Sequence, residues 1–226
     1  MAQGPRVTLT FDNGPVAPVT GRVLDILGER SVRSTFFVVG DQLRRPGAVE
    51  LARRAAAEGH WIGNHTLTHT VPLGELDDAA DVAREIDETE ALIGSLAHPD
   101  RLFRPFGSGG MIDGRLLGAH ALRHLKEGGF TCILWNCVPH DWDDPTGWVE
   151  TCLKEVVTRA WSVVVVHDVP TGAMDRLPDL LDALEAMDAD LVQEFPDQCV
   201  PLRRGVPTVA LQQLSPLGSR HPQKDG

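Results

Sequence analysis

The feature that most constrains this chain is the alternation of short apolar, β-branched runs with helix-length segments. "SVVVVHD", residues 162–168, is the plainest of the runs. Four consecutive valines cannot present one wet and one dry face, so the run predicts a strand covered on both sides. Arg6–Thr10, "STFFVVG" at 34–40, "HWIGNHT" at 60–66, "RLFRPFG" at 101–107, "FTCILWN" at 130–136 and a weaker Leu191-Val192 read as further strands. Helices are expected between them over Pro18–Arg30, 46–59, Asp77–Leu96, Asp113–Glu127, Pro145–Arg159 and Pro178–Met187. Several of these open near Pro or Asp and close on Gly. About seven such alternations predict an α/β fold with a parallel sheet, open or closed into a barrel. One domain over residues 1–212 is expected, with a disordered tail over 213–226.

Charge narrows the partners. The formal net charge is −11 and no Lys/Arg-rich block occurs, which argues against nucleic acid or an anionic membrane as a partner. No apolar run approaches the roughly 20 residues that cross a bilayer. "MAQGPRVTLTF" lacks the basic and apolar pattern of a secretory signal, so a cytoplasmic protein is expected. Cys132, Cys137, Cys152 and Cys199 have no C-x-x-C spacing and are expected as buried, reduced thiols. Oligomeric state is left open by these features.

Chemistry-bearing residues cluster where strands end. In a parallel sheet the carboxyl ends of the strands share one rim, so these groups should converge. The first strand ends in Asp12-Asn13, the third in "NHTLTH" with His65 and His69, and the fourth in Arg104. The fifth ends in "WNCVPHDW" with Asp141 and Trp142, and the sixth in His167-Asp168. Each group has a plain alternative. Asp12 is a turn former or a general base. His65 and His69, at i and i+4, share a metal ion on one face of a helical turn or solvate a loop. Arg104 is a surface charge or the partner of an acid. His167 is a satisfied strand-end histidine or a proton donor, and Asp168 a helix cap. Trp142 packs in a core or walls a small pocket. The acids of the Asp77–Leu96 helix read as a solvated face.

Taken in order, "TFDNGP", "HTLTH", "RPFG", "WNCVPHDW" and "VVVVHD" resemble the five motifs of the polysaccharide deacetylase family, carbohydrate esterase family 4, with its NodB-homology domain. The resemblance runs from residue 10 to 168. It implies a distorted (β/α) barrel of about seven parallel strands and metal-assisted hydrolysis of an N-acyl group, usually acetyl on a glucosamine unit. By matching position it implies Asp12 as general base, tuned by Arg104, and His167 as general acid, tuned by Asp141. It implies Asn13, His65 and His69 as ligands of a divalent metal, with zinc expected. Phe106, Trp142 and Val165 would flank the acyl pocket. The chain departs from the pattern at Asn13, where the family has a second Asp, at Val138, where it has another, and in "RPFG", which is one residue short. These departures and the expected location admit an N-acetylated sugar, a small amide or a cyclic imide as substrate. They also admit a second reading, a catalytically impaired carbohydrate- or metabolite-binding domain on the same scaffold.

Overall fold

A computed structural model describes residues 4–213. The tail expected from 213 onward lies, apart from Gln213, outside the described residues. In chain order the strands are β1 (Arg6–Asp12), β2 (Thr35–Val38), β3 (Trp61–Asn64), β4 (Leu102–Phe103), β5 (Thr131–Cys132), β6 (Trp161–His167), β7 (Asp190–Val192), β8 (Leu202–Arg203) and β9 (Val206–Pro207). The helices are α1 (Val19–Glu29), α2 (Gly40–Leu43), α3 (Ala48–Ala57), α4 (Ala79–Ile93), α5 (Ala119–Glu127), α6 (Trp148–Val156), α7 (Leu177–Ala186) and α8 (Val209–Gln213).

The strands form one sheet in the order β6-β1-β2-β3-β4-β5-β8-β9, with β7 also paired to β1. All pairings among β1 to β7 are parallel. Beyond β5 the chain runs on and bridges Cys137 to Val164 of β6, so the sheet curls round on itself. The Val165 N–H donates to the Cys137 carbonyl at 3.0 Å across that seam. This is the expected distorted (β/α) barrel. One edge of β1 is shared: β7 pairs with Arg6–Thr8 and β2 with Thr10–Asp12.

The two faces of β1 and β6 pack differently. Val7, Leu9 and Phe11, with Val164 and Val166, join the apolar layer under α1, α6 and α7. Val163 and Val165 instead pack with Phe103, Cys132 and Leu134. The alternate positions of β1 are threonines, and their hydroxyls are satisfied. Thr10 Oγ1 donates to the Val164 carbonyl at 2.7 Å, and Thr8 Oγ1 to that of Glu194 at 2.5 Å. All four cysteines are buried and none forms a disulfide.

Several expected bounds move. The helix expected from Asp113 starts at Ala119, because the Asp113 carboxylate accepts the Arg115 N–H at 2.9 Å and holds a turn. The strand expected over 130–136 is two residues long, since the chain leaves β4 after Cys132 to reach β6. The antiparallel β8–β9 hairpin was not expected, and two-residue strands show no alternation to read.

Candidate active site

Asp12 and His167 are register partners at the carboxyl ends of neighbouring strands. The Asp12 side chain is buried, and its Oδ1 accepts from Arg104 Nη1 at 2.8 Å. Arg104 is fully buried, not a surface charge. Its Nη1 also donates to Thr10 Oγ1 at 2.7 Å, its Nε faces the Ile133 carbonyl at 3.4 Å, and its guanidinium lies 4.0 Å over the Phe37 ring. Burial pulls its pKa down, the Asp12 charge opposes that, and the cation is held in one place.

His65 follows β3. Its Nδ1 lies 2.8 Å from the Arg104 carbonyl, which can only accept, so the proton sits on Nδ1. Nε2 keeps its lone pair and lies 3.5 Å from Asp12 Oδ2. Burial pushes the His65 pKa down to about 3, and burial and the neighbouring His65 do the same to His69. Both rings are neutral near pH 7. The "HTLTH" segment is a loop, as one of the two readings had it, and not the helical turn of the other. Thr66 and His69 take left-handed backbone, at φ 68° and 53°, yet the two rings still come within 4.8 Å, centroid to centroid. Glu85 of α4 shapes this loop: Oε2 accepts from the N–H groups of Leu67 at 3.0 Å and Thr68 at 2.9 Å. The acidic face of α4 is therefore not wholly solvated, since Glu85 is buried. The Phe106 ring packs on His69 at 4.0 Å.

His167 meets Asp141 twice. The His167 N–H donates to Oδ2 at 2.9 Å, and Nδ1–H donates to Oδ1 at 2.8 Å. That fixes the tautomer and leaves Nε2 free. Burial opposes the imidazolium, but Asp141, with Asp12 and Asp168, outweighs it and raises the His167 pKa. Trp142 stands edge-on to His167, centroids 4.9 Å apart and planes at 88°. Asp168 is not a helix cap: it is buried, and its Oδ2 accepts from Thr20 Oγ1 at 2.5 Å.

Asp12, Asn13, His65, His69, Phe106, Trp142, Val165 and His167 line one cleft of about 230 Å³. Asp141 and Arg104 stand behind it as partners of His167 and Asp12. Sequence reasoning missed part of the cleft wall. Trp135, Val169 and the glycines 107, 109 and 110 also line it, together with Val138, which the sequence had singled out as a departure from the family pattern. The Trp135 Nε1–H donates to the Gly110 carbonyl at 2.8 Å and ties the glycine loop over the indole. The run of glycines after "RPF" was the available signal.

Among the described residues, no group of three or more His, Cys, Asp or Glu is arranged to hold a metal ion. A donor set here therefore needs the amide. Asn13 sits at φ 76°, and its Oδ1 is buried without a hydrogen-bond partner. An orphaned amide oxygen on a residue lining the same cleft as two neutral imidazoles, one with its free nitrogen fixed by a backbone carbonyl, suits a divalent cation.

A curled parallel sheet, with buried acid–base pairs gathered where its strands end, defines an α/β-barrel of the enzyme type. Residues 2–119 match the polysaccharide deacetylase family. A chitooligosaccharide deacetylase of Rhizobium leguminosarum bv. trifolii is 34% identical over 166 residues, 72% of this chain and 71% of that protein. A peptidoglycan-N-acetylglucosamine deacetylase of Bacillus cereus is 32% identical over 75% of this chain and 74% of its own length. Among solved structures, a family 4 acetyl xylan esterase from Clostridium thermocellum in complex with a cobalt ion superposes with TM-score 0.67 at 26% identity. That match covers 83% of this chain and 87% of the esterase. The chain belongs to the polysaccharide deacetylase family. No helix among the described residues is long and apolar enough to cross a membrane.

Proposed function

We propose that this chain hydrolyses the acyl C–N bond of an N-acetylated saccharide or of a small amide, with Asp12 as general base and His167 as general acid. One observation carries the reading. Asp12 and His167 face one cleft from adjacent strand ends, and each is locked by its own buried partner, Arg104 or Asp141. Arg104 holds the Asp12 carboxylate in place at 2.8 Å, where it can take a proton from water. Asp141 favours a protonated His167, whose free Nε2 can deliver a proton to the leaving nitrogen. Trp142, Val165 and Phe106 would border the acyl group. The Phe106 backbone N–H is the donor for the developing oxyanion. Asn13, His65 and His69 are the residues that would hold a divalent ion, zinc first among those to test. When bound, such an ion supplies Lewis acidity at the acyl oxygen and acidifies water.

The names of the relatives favour N-acetylglucosamine oligomers as the first substrates to assay. Val138 and the side-chain-free glycines 107, 109 and 110 at the cleft wall keep small amides and cyclic imides in the set. The test is amine and acetate release from both groups of compounds by the purified chain, with and without added zinc and with chelator. Turnover lost in Asp12→Asn and in His167→Ala supports the reading, and no turnover on any compound overturns it. Asn13 alone favours the second reading, a binding domain, because a neutral amide is a weaker metal donor than a carboxylate. Asn13→Asp decides that point. Tighter zinc binding with a gain in rate supports a weakened enzyme; tighter binding with no rate supports a binding domain.

A further inference from the structure

Asp168 is a buried carboxylate that the proton transfers above do not use. It directly follows His167, yet it lies beneath the turn after β1, lining a small apolar cavity with Phe11, Gly14, Pro15 and Thr20. Its Oδ2 accepts from Thr20 Oγ1 at 2.5 Å. Thr20, in the first turn of α1, is tied to Val16 in both directions. Thr20 Oγ1 accepts the Val16 N–H at 2.7 Å, and the Thr20 N–H donates to the Val16 carbonyl at 2.9 Å. The turn also rests on the carboxylate itself: a Cβ on Gly14 would lie 2.1 Å from Oδ2. Asp168 Oδ1 is buried with no partner, and so is Asn13 Oδ1 one residue before Gly14. A half-satisfied buried carboxylate is costly, and burial accordingly raises the Asp168 pKa to about 6. Such a group persists where it fixes something else.

We propose that Asp168, acting through Thr20, is a positioning residue for the Asp12–Asn13 turn. The chain Asp168–Thr20–Val16 clamps the far side of the turn, and the carboxylate fills the space under Gly14. Asn13 is thereby held in its left-handed conformation at the wall of the cleft that His65 and His69 also line. This rests on the reading of Asn13 as a donor to a divalent ion. It adds that the donor's orientation is set from another strand end, and that a strand-end "HD" divides its labour: the histidine faces the cleft and the aspartate braces the opposite turn.

The test compares the full chain with Thr20→Val, Thr20→Ser, Asp168→Ala and Asp168→Asn. Readouts are the Co²⁺ dissociation constant by absorption titration, kcat and KM on an N-acetylglucosamine oligomer, and the melting temperature. Thr20→Val keeps the side-chain shape and removes the relay. It should weaken Co²⁺ binding and lower kcat by roughly tenfold or more, with KM little changed. Thr20→Ser should restore both to within about twofold. Asp168→Ala should follow Thr20→Val, and Asp168→Asn, which still accepts from Thr20, should be milder. If Asp168→Ala does not fold, the Thr20 pair decides. Wild-type Co²⁺ affinity in Thr20→Val, or equal losses in Thr20→Val and Thr20→Ser, overturns the proposal. Absence of Co²⁺ binding by the wild type overturns it together with the donor role of Asn13; amide hydrolysis that persists then leaves the general acid and base standing. Co²⁺ binding that follows the predicted order without turnover on any amide supports the clamp and removes the hydrolase reading instead.

Discussion

The Asp141 carboxylate grips His167 at two points, its backbone N–H at 2.9 Å and its Nδ1 at 2.8 Å, so the ring can neither flip nor change tautomer without losing a bond. Asp141 is fully buried, and the pair is therefore little screened by solvent. This relationship sets the protonation state of the proposed general acid.

Asp141→Asn should move the alkaline limb of the pH–kcat/KM profile to lower pH. Asp141 raises the His167 pKa against the opposing effect of burial. Without its charge, less imidazolium is present at pH 8, and the rate there should fall by roughly 10²-fold, the lower end of what a positioned acid contributes. The stability effect follows the same sign. A raised folded-state pKa gives stability that is complete below the ordinary value of 6.5 and is lost as pH rises through the raised value. Denaturation of wild type and Asp141→Asn should therefore differ most at acid pH and converge on the alkaline side. An unchanged alkaline limb would remove His167 as the acid.

Asp12→Asn and Asp12→Ala should both lose activity by about 10²- to 10⁴-fold, and they should differ in stability. Arg104 is fully buried, and Asp12 is the carboxylate it pairs with at 2.8 Å. Alanine leaves that charge unpaired at a cost of about 3–5 kcal/mol. Asparagine keeps an acceptor for Nη1 and should cost less. The burial of Arg104 is what makes alanine at this position costly to the fold as well as to activity. Urea denaturation alongside kcat/KM separates the two effects.

The metal-free protein should lose stability as pH falls from neutrality toward 3. His65 and His69 are pushed from 6.5 to about 3, chiefly by burial. A depressed folded-state pKa gives stability that is present above 6.5 and lost as pH drops through that window, because the unfolded chain takes the protons first. Asp168 works the other way, since its pKa is raised from 3.8 to about 6 and its contribution grows as pH falls through that narrower range. Two histidines with the wider displacement outweigh one acid. His69→Gln should flatten the acid slope in guanidinium denaturation at pH 7, 5 and 4; a slope identical to wild type would place His69 outside the buried site.

The sequence already carried the barrel and the outline of the cleft, for a physical reason. "SVVVVHD" and "STFFVVG" can be strands only if covered, and covered parallel strands end on one rim, so Asp12, His65, Arg104 and His167 had to converge. Hidden from the sequence were features that depend on three-dimensional partners. Glu85 lies among solvated acids on a helix, and only the fold shows it holding the histidine loop. Asp168 reads as a cap because Asp commonly is one, and its link to Thr20 spans 148 positions. The left-handed Thr66 and His69 defeat an i, i+4 argument that assumes helix, although the rings still meet.

Gly107→Ala should damage substrate binding more than chemistry. A Cβ at Gly107 would lie 2.7 Å from Cη2 and Cζ2 of Trp135 and 3.0 Å from the Met111 carbonyl oxygen. Neither the indole nor the backbone can yield by that much in place, so the loop must lift. Lifting it breaks the Trp135 Nε1–Gly110 bond and opens the cleft wall that the glycines form. Asp12 and His167 sit on β1 and at the end of β6, and Phe106 is anchored by its ring 4.0 Å from His69, so the reacting groups and the Phe106 N–H keep their geometry while the glycines after it move. Overpacking of this kind costs about 1–3 kcal/mol, and less where a surface loop can move aside. The expected result is a several-fold rise in KM with kcat within about twofold and a small drop in melting temperature. Steady-state kinetics with intrinsic tryptophan fluorescence checks it. A fall in kcat at constant KM would mean that the glycine loop shapes the reacting groups themselves.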